Sequence, residues 1–566
     1  MSLLGGANRT SKTGQKRWLE IVAGLVLLSG LLTISGVLLS ILHARRANIV
    51  LTDARFTVLV GLSFVYLASL LRRGKYNAWL IGLPLYGYLV VRNIQHFIFD
   101  FPDGVRLVPA ILNLAIPILA LLGLIIFRRQ FNVRSEVRNF ATALRRSIII
   151  LLVAFLYGTI GFQLFDTPDF HREIPVPTGA HYTVDQFGLT TNHQLEPQTK
   201  RANLFLGSLS VISLGSVFYV LVSLFAPIRF RLSHSAHDYE DMARLLRQSP
   251  SSSEDFFKLW PRDKAYFFDA GRSAGLAYKS TYGVALVVGD PAGDKAEFGH
   301  LIRQFQEYCR VNDWEPAFVH VEKINAALYG SLGFELQKIG EEAIVDISHY
   351  VKSVMPNKYF RHIVNRFERE KYTTEILEPP HGAAVLSRLR EVSDDWLTVP
   401  GRAERGFMMG YFNYDYIQQC PVMVARDEAG TIQAFINRVP SFNEREANFD
   451  FVRHTKGSPG NINDYLMLNF INYLHRQAVP RLNMGLSPLA GLEASDEKDR
   501  SAIDGILSFT YSNASRFYSF KGLNRFKSKY EPAWEDRYIV YYGGLRGFSR
   551  TMTALMRAMR LRRRFF

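Results

Sequence analysis

The chain has 566 residues, 48% of them hydrophobic, and a formal net charge of +16. Such length admits more than one core, and the positive excess points to anionic partners, either lipid headgroups or RNA. Two cysteines, Cys309 and Cys420, lie far apart and exclude a disulfide framework, a CxxC redox pair and a thiolate metal knuckle.

Long apolar runs fill the chain before about residue 226. Six segments are candidates to span a bilayer: 18–41, 55–71, 77–92, 107–127, 147–165 and 203–226. The first, fourth, fifth and sixth have the ~20 apolar residues that a hydrocarbon core requires. The third is short and carries Pro84, so a broken or tilted span is expected there. Any one of them alone would fit a buried core helix. Six in succession, with little polar sequence between the first five, predict a multi-span membrane domain over 1–226. The first run is too long for a cleaved signal, and no small-residue cleavage pattern follows it.

Short-loop charge orients these spans. Arg9, Lys12, Lys16 and Arg17 precede the first span, Arg72, Arg73 and Lys75 follow the second, and a cluster from Arg128 to Arg146 follows the fourth. All fall on one side if the N-terminus is cytoplasmic, whereas HARR (43–46) and Arg55 count against it. The majority places everything after about residue 227 in the cytosol. The polar stretch 166–202 would be external, and it shows no periodicity.

The cytosolic part reads as two similar α/β units, 227–365 and 366–566. In the first, antiparallel strands within 263–293 precede a helix over 296–312, in which Phe298, Leu301, Ile302, Phe305 and Tyr308 recur at helical spacing. A strand EPAFVHVE (315–322), a short helix over NAALYGSLGF and a strand at 343–349 follow. A charged linking helix is expected over 359–372. The second unit repeats the order: a helix at 382–397, strands in 421–440 broken at DEAG, FDFVR, a helix from about 462 and a strand at 482–488. Asn461, three residues before Asp464, suggests a loose capping arrangement for that helix.

Two stretches carry candidate chemistry. In FDFVRH (449–454), Asp450 and Arg453 would face opposite sides of a flat strand, so a bulge or a strand end is required to bring them together. In 515–542, Arg516, Lys521, Arg525, Lys527 and Lys529 interleave with aromatics, which suits phosphate plus unstacked bases, a lipid headgroup, or a solvated helix. The tail MRAMRLRRRFF adds five arginines of the same leaning. The 14 histidines show no metal-ligand spacing, and no HExxH or GxSxG motif is present. Neither unit has a clean Gly-rich pyrophosphate loop at a strand end, which argues against coenzyme A as donor.

The passage NAALYGSLGFELQKIG resembles the late helix-and-strand part of the acetyltransferase-like (GNAT) fold, and the repeated order resembles two such folds in tandem. Four strings, FDFVRH, NINDYLMLNF, LNMGLSPLAGL and FKGLNRFKSKYEPAWEDRYIVY, occur in that order after a membrane part. Together they resemble the bacterial phosphatidylglycerol aminoacyltransferases, the lysylphosphatidylglycerol synthase or multiple peptide resistance factor family, over about 235–545. The resemblance implies transfer of an aminoacyl group from aminoacyl-tRNA to the glycerol hydroxyl of phosphatidylglycerol. Aminoacyl-tRNA is then the co-substrate, with no further cofactor and no metal. It also implies a polar site formed by Asp450, Arg453, Lys527 and Glu535, with Lys521, Arg525, Lys529, Tyr465 and Asn461 around the substrates. Asp450 or Glu535 would activate the hydroxyl or hold the α-ammonium, and Arg453 and Lys527 would meet phosphate, the tRNA end or the developing oxyanion. Lysine is favoured as the transferred group and alanine is the alternative. A homo-oligomer is compatible with the sequence, and six spans leave little room for a complete flippase module. Transfer to another lipid, and a non-catalytic RNA- or lipid-binding anchor, are the rival expectations.

Overall fold

The apolar runs of the N-terminal part form helices in this computed structural model, which describes residues 17–35, 61–99, 107–133, 137–164, 167–170, 174–188, 198–224, 236–488 and 520–560. These helices are α1 (Arg17–Ser35), α2 (Gly61–Arg72), α3 (Tyr76–Phe99), α4 (Leu107–Ile126), α5 (Val137–Gln163) and α6 (Lys200–Leu224). Among the described residues, two stretches, Arg17–Ser35 and Arg145–Gln163, are long and apolar enough to cross a membrane, and Gly61–Arg72 and Leu114–Ile126 are shorter apolar helices. The ends of the expected spans at 36–41, 55–60 and 225–226 lie outside the described residues. Pro84 does not break the third segment, since α3 runs for 24 residues around it.

The stretch expected to be irregular at 166–202 contains a helix, Val176–Gly188. Its Tyr182 joins Phe162 and Phe205 in a buried aromatic cluster. A cluster of this kind leaves no apolar periodicity in the sequence. Small residues on α5 allow the close approach: a Cβ at Gly161 would lie 2.3 Å from the Phe205 ring.

The chain divides into two bodies near Ile228. The C-terminal body is built on one sheet of 12 strands. In chain order these are β1 (Ala265–Phe268), β2 (Ala274–Thr281), β3 (Val284–Val288), β4 (Ala292–Gly293), β5 (Glu315–Glu322), β6 (Glu335–Asp346), β7 (Thr373–Leu377), β8 (Val422–Arg426), β9 (Ile432–Arg438), β10 (Glu446–His454), β11 (Arg481–Pro488) and β12 (Ala533–Tyr541). They pair as β1-β2-β3-β5-β12-β6-β11-β10-β9-β8-β7, with β4 on β2.

The two halves do not carry separate sheets. The last strand of the chain, β12, enters between β5 and β6 of the first half. Outward from the central β6–β12 pair, the order is the same on both sides. An antiparallel neighbour (β5 or β11) is followed by a parallel one (β3 or β10), then by antiparallel strands to the edge. The sheet therefore has two parallel junctions. In open α/β sheets, ligands favour crevices outside the carboxyl ends of strands, where neighbouring strands part.

Helices α7 (Ala236–Gln248), α8 (Phe298–Val311), α9 (Lys358–Arg369), α10 (Ala383–Leu397), α11 (Ile462–Arg476), α12 (Phe520–Ser528) and α13 (Gly544–Met559) cover this sheet. The expected linking helix, α9, is more than a charged connector. Its Phe360, Ile363 and Phe367 fall at helical spacing and are all buried in the core around α11. Burial of such side chains contributes about 1.5–3 kcal/mol each. α11 supplies Ile462, Leu466, Phe470, Ile471 and Leu474 to the same core.

Candidate active site

Three β-bulges place the polar groups of the C-terminal body. β10 advances from Phe449 to Val452 while β9 advances only from Arg438 to Ile436. One residue of β10 is thereby extra, which re-aims the side chains beyond it. Asn437 Oδ1 fills the gap and accepts the amides of Asp450 and Phe451 at 3.3 and 2.7 Å. The bulge answers the alternation problem posed by FDFVRH. A second bulge leaves His320 of β5 between Val319 and Val321, which pair with adjacent residues of β12, and gives it a left-handed φ of 74°. A third, in β11, lies between Asn483 and Leu486 and uses the positive φ of Gly485, 79°.

Around the first bulge, Tyr416 donates its hydroxyl to Asp450 Oδ2 at 3.2 Å, and the Gly410 amide supports the same carboxylate. Burial pushes the Asp450 carboxyl up to about 6, against the opposing pull of Arg453. Arg453 is 4% exposed. Its Nη1 and Nη2 donate to the two oxygens of Glu404 at 2.7 and 2.9 Å, and Nη1 also reaches Ser393. The guanidinium also lies over the rings of Phe451 and Trp396, at 4.1 and 5.0 Å from their centroids. Arg453 thus spends its charge within the protein. It shapes the field at Asp450 and holds Glu404 in place.

The second and third bulges meet at another polar group. His320 Nδ1 lies 3.1 Å from Glu254 and its Nε2 lies 2.9 Å from Glu342. Glu342, fully buried, is also held by Arg537 and by Asn483 Nδ2 at 3.3 Å. Burial opposes ionisation of Glu342, but His320 and Arg537 outweigh it and hold its carboxyl below the usual range. Glu254 goes the other way, pushed up by burial, with His320 opposing and the neighbouring Glu342 adding to the rise. Burial also disfavours the imidazolium of His320, yet the two carboxylates raise its pKa. Lys527 donates to the carbonyls of Gly485 and Leu486, both at 2.8 Å. Burial pushes its ammonium down to about 7, against the pull of Glu342 and Glu254.

Glu254, His320 and Glu342 are, among the described residues, the group whose ligand atoms approach closely enough, within 4.8 Å, to surround an ion. The ring offers one nitrogen to each carboxylate. Glu342 Oε1 nevertheless has no hydrogen-bond partner, so these are close charge contacts within a compact group rather than links of a hydrogen-bonded chain. No local motif announces this group, because its members come from three separate elements. The one sequence signal is EPAFVHVE, where a histidine interrupts an otherwise apolar strand interior.

Of the four residues expected to form one polar site, three fall into these two settings and the fourth lies on the surface. Asp450 and Arg453 belong to the first, and Lys527 to the second. Glu535 is on the surface of β12, 40% exposed, and bridges Arg481 at 2.8 Å and Arg537 at 3.2 Å. Glu254, His320, Glu342, Glu404 and Tyr416 were not anticipated.

The residues expected around the substrates are more dispersed. Lys529 forms an ion pair with Asp464 of α11, which also receives the hydroxyls of Tyr359 and Tyr530 at 3.0 and 2.9 Å. Asp464 therefore does not serve as the partner of a cap. Asn461 stands at the N-cap in a left-handed conformation, φ 67°, with no side-chain capping bond. Tyr465 is a core residue, stacked on Phe367 at 4.4 Å with its hydroxyl on the Tyr372 carbonyl. Arg525 is exposed on α12, and Lys521 lies on the same helix.

Comparison with known proteins agrees with this architecture. Residues 243–541 match the family described as phosphatidylglycerol lysyltransferase, C-terminal. A phosphatidylglycerol lysyltransferase of Bacillus subtilis (strain 168) is 31% identical over 279 residues, 49% of this chain and 32% of that protein. One from Staphylococcus aureus is 30% identical over 286 residues, 50% of this chain and 33% of its own. The chain thus spans about a third of the length of these curated relatives. Among solved structures, L-PGS from Bacillus licheniformis has 30% identity and a TM-score of 0.50, with 56% of this chain and 95% of that one covered. The C-terminal domain of a protein described as a lysylphosphatidylglycerol synthetase from Agrobacterium fabrum has 26% identity and a TM-score of 0.50, covering 57% and 97%. The C-terminal domain has the acetyltransferase-like fold expected from the sequence.

Proposed function

From the premise that the chain belongs to the phosphatidylglycerol lysyltransferase family, we propose that it transfers an aminoacyl group, lysyl in the first instance, from aminoacyl-tRNA to a glycerol hydroxyl of phosphatidylglycerol. The observation that carries this reading is the half-buried Asp450 carboxylate, held by Tyr416 and Gly410 beside the β10–β11 junction with its pKa lifted to about 6. A structural carboxylate would be neutralised by a direct ion pair. Here the neighbouring guanidinium is committed to Glu404, so Asp450 keeps its basicity.

The chemistry is a transesterification. The lipid hydroxyl oxygen attacks the ester carbonyl carbon, a new C–O bond forms, and the C–O bond to the terminal ribose breaks. The donor ester is already activated, so the site has to move one proton and stabilise one transient oxyanion. In this reading Asp450 meets the reacting end of the aminoacyl group, holding its α-ammonium or the attacking hydroxyl. Lys527, anchored on the Gly485 and Leu486 carbonyls of β11, supplies positive charge in its protonated form. The net charge of +16 and the apolar helices of the N-terminal part support a place at the cytosolic face of a membrane, with anionic lipid and tRNA as partners.

Expression in a bacterial host that makes no aminoacylated lipid tests this reading. Mass spectrometry of the extracted lipids should reveal lysyl-phosphatidylglycerol with the natural chain and none with D450N. A lipid profile unchanged by the natural chain, present in the membrane at normal levels, would refute it.

A further inference from the structure

The ligand atoms of Glu254, His320 and Glu342 lie within 4.8 Å of one another. What sets the group apart from an ordinary acidic cluster is Glu342, which is fully buried. Its Oε2 is held by Arg537 and by Asn483 Nδ2, whereas Oε1, on the side of His320, accepts no hydrogen bond. A buried carboxylate oxygen left without a donor is costly. Oε1 lies 2.9 Å from His320 Nε2. A hydrogen bond would form at that distance if the ring N–H were aimed at the oxygen, so Oε1 stands to one side of that direction. Two ligands of one small cation are placed in this way, about 3 Å apart and each beside the other's bond to the ion.

We propose that Glu254, His320 and Glu342 bind one divalent transition-metal ion, of the zinc or manganese kind, which ties the 3-10 helix Ser253–Lys258 to β5 and β6. Two carboxylates with one imidazole suit such ions, whereas magnesium and calcium favour shells of oxygen alone. The site stands independently of the acyl-transfer reading.

The surroundings fit an ion in charge, size and rigidity. With the Asp255–Lys258 ion pair set aside, Glu254, Asp290, Glu322 and Glu342 face Arg537 and Lys527, so four carboxylates meet two cations. A divalent ion balances the excess. Glu254 and His320 line a cavity of about 30 Å³ at the carboxyl end of the β3–β5 parallel pair. That space holds an ion with a water in its open coordination position. An aminoacyl side chain would need far more. The ligands are also preset. The helix bearing Glu254 begins with a reciprocal capping box between Ser252 and Asp255. His320 is held at a left-handed φ of 74°, a strain that persists where the surroundings enforce it. Arg537 and Asn483 orient Glu342 from outside, as the outer shell of a metal site does. Phe256, on the same helix as Glu254, stacks on the Tyr416 ring at 6.0 Å, so the ion would also steady the partner of Asp450.

The test uses the full chain, untagged and in detergent, stripped with a chelator, reloaded with Zn²⁺ or Mn²⁺ alone and desalted before elemental analysis. The natural chain should retain about one ion. E254Q and H320N should weaken retention by roughly 10²-fold or more, asparagine being tolerated at a left-handed backbone position. H349A removes an exposed imidazole elsewhere and should retain the ion as the natural chain does. Reloading should raise the melting temperature of the stripped natural chain by a few degrees and leave that of E254Q unchanged. No retained ion in the natural chain, or equal retention in the natural chain, E254Q and H320N, would overturn the site. E254Q alters a half-buried side chain on a helix fixed by its own cap, so it decides the matter if H320N fails to fold. Neither readout depends on whether lipid is aminoacylated.

Discussion

A Cβ atom added at Gly410 would lie 2.0 Å from Asp450 Oδ2 and 2.5 Å from the Tyr416 ring. The ring has no room to yield, because it is fully buried and stacked on Trp260 at 5.5 Å. The absence of a side chain at Gly410 is therefore what allows its amide to reach the carboxylate. G410A should displace Asp450 by a fraction of an ångström to an ångström and lower the transfer rate by about 10²-fold. Its effect on KM for aminoacyl-tRNA should be small. Steady-state kinetics on the folded variant check this.

Asp450 should also leave a mark on stability. Its folded pKa, about 6, lies above the ordinary aspartate value, so the native state binds its proton more tightly than the unfolded chain does. The associated stability is fully present below the unfolded pKa and is lost as pH rises through the folded value, over roughly pH 4 to 6. D450N removes that loss. Above pH 6 the variant should be more stable than the natural chain by on the order of 1–2 kcal/mol, after allowance for solvent screening. Melting curves between pH 4 and pH 7 read the difference directly, and equal slopes in both proteins would contradict it.

Much of the fold could be read in the sequence because apolar spacing writes it there. The α8 stripe of Phe298, Leu301, Ile302 and Phe305 and the α11 stripe of Ile462, Leu466 and Phe470 are helical repeats whose buried faces match the structure. The insertion of β12 beside β6 was not legible, because local pattern does not specify which strands pair across nearly 200 residues of chain. The site was half legible for the same reason. Asp450 and Arg453 share one string, whereas Glu254, His320, Glu342 and Arg537 meet only after the sheet has closed. Bulges add a further obstacle, since one extra residue reverses the face on which every later side chain sits.

Arg453 depends on Glu404 more than on any substrate. With its guanidinium 4% exposed, loss of the carboxylate partner would leave a buried charge uncompensated. E404L should cost about 3–5 kcal/mol of stability. R453M placed on top of E404L should restore a large part of it, because both charges are then gone. Denaturant midpoints for the two single variants and the double variant form the cycle that decides this.

Basic residues on and after α12 should separate by role. Lys529 is tied to the buried Asp464, so K529A should lower stability by about 1–3 kcal/mol and leave KM for aminoacyl-tRNA unchanged. Arg525 is exposed two residues before Lys527. R525A should leave stability unchanged but raise KM for aminoacyl-tRNA a fewfold and reduce its salt dependence. The reverse pattern would place the tRNA contact at Lys529.

The decisive measurement is reconstitution: the full chain purified in detergent, phosphatidylglycerol vesicles, tRNA, the matching synthetases and a panel of labelled amino acids, with and without prior RNase. The expected result is label in the lipid fraction with lysine, abolished by RNase and by D450N. No labelled lipid across the panel, or labelling that survives RNase, would contradict aminoacyl transfer from tRNA.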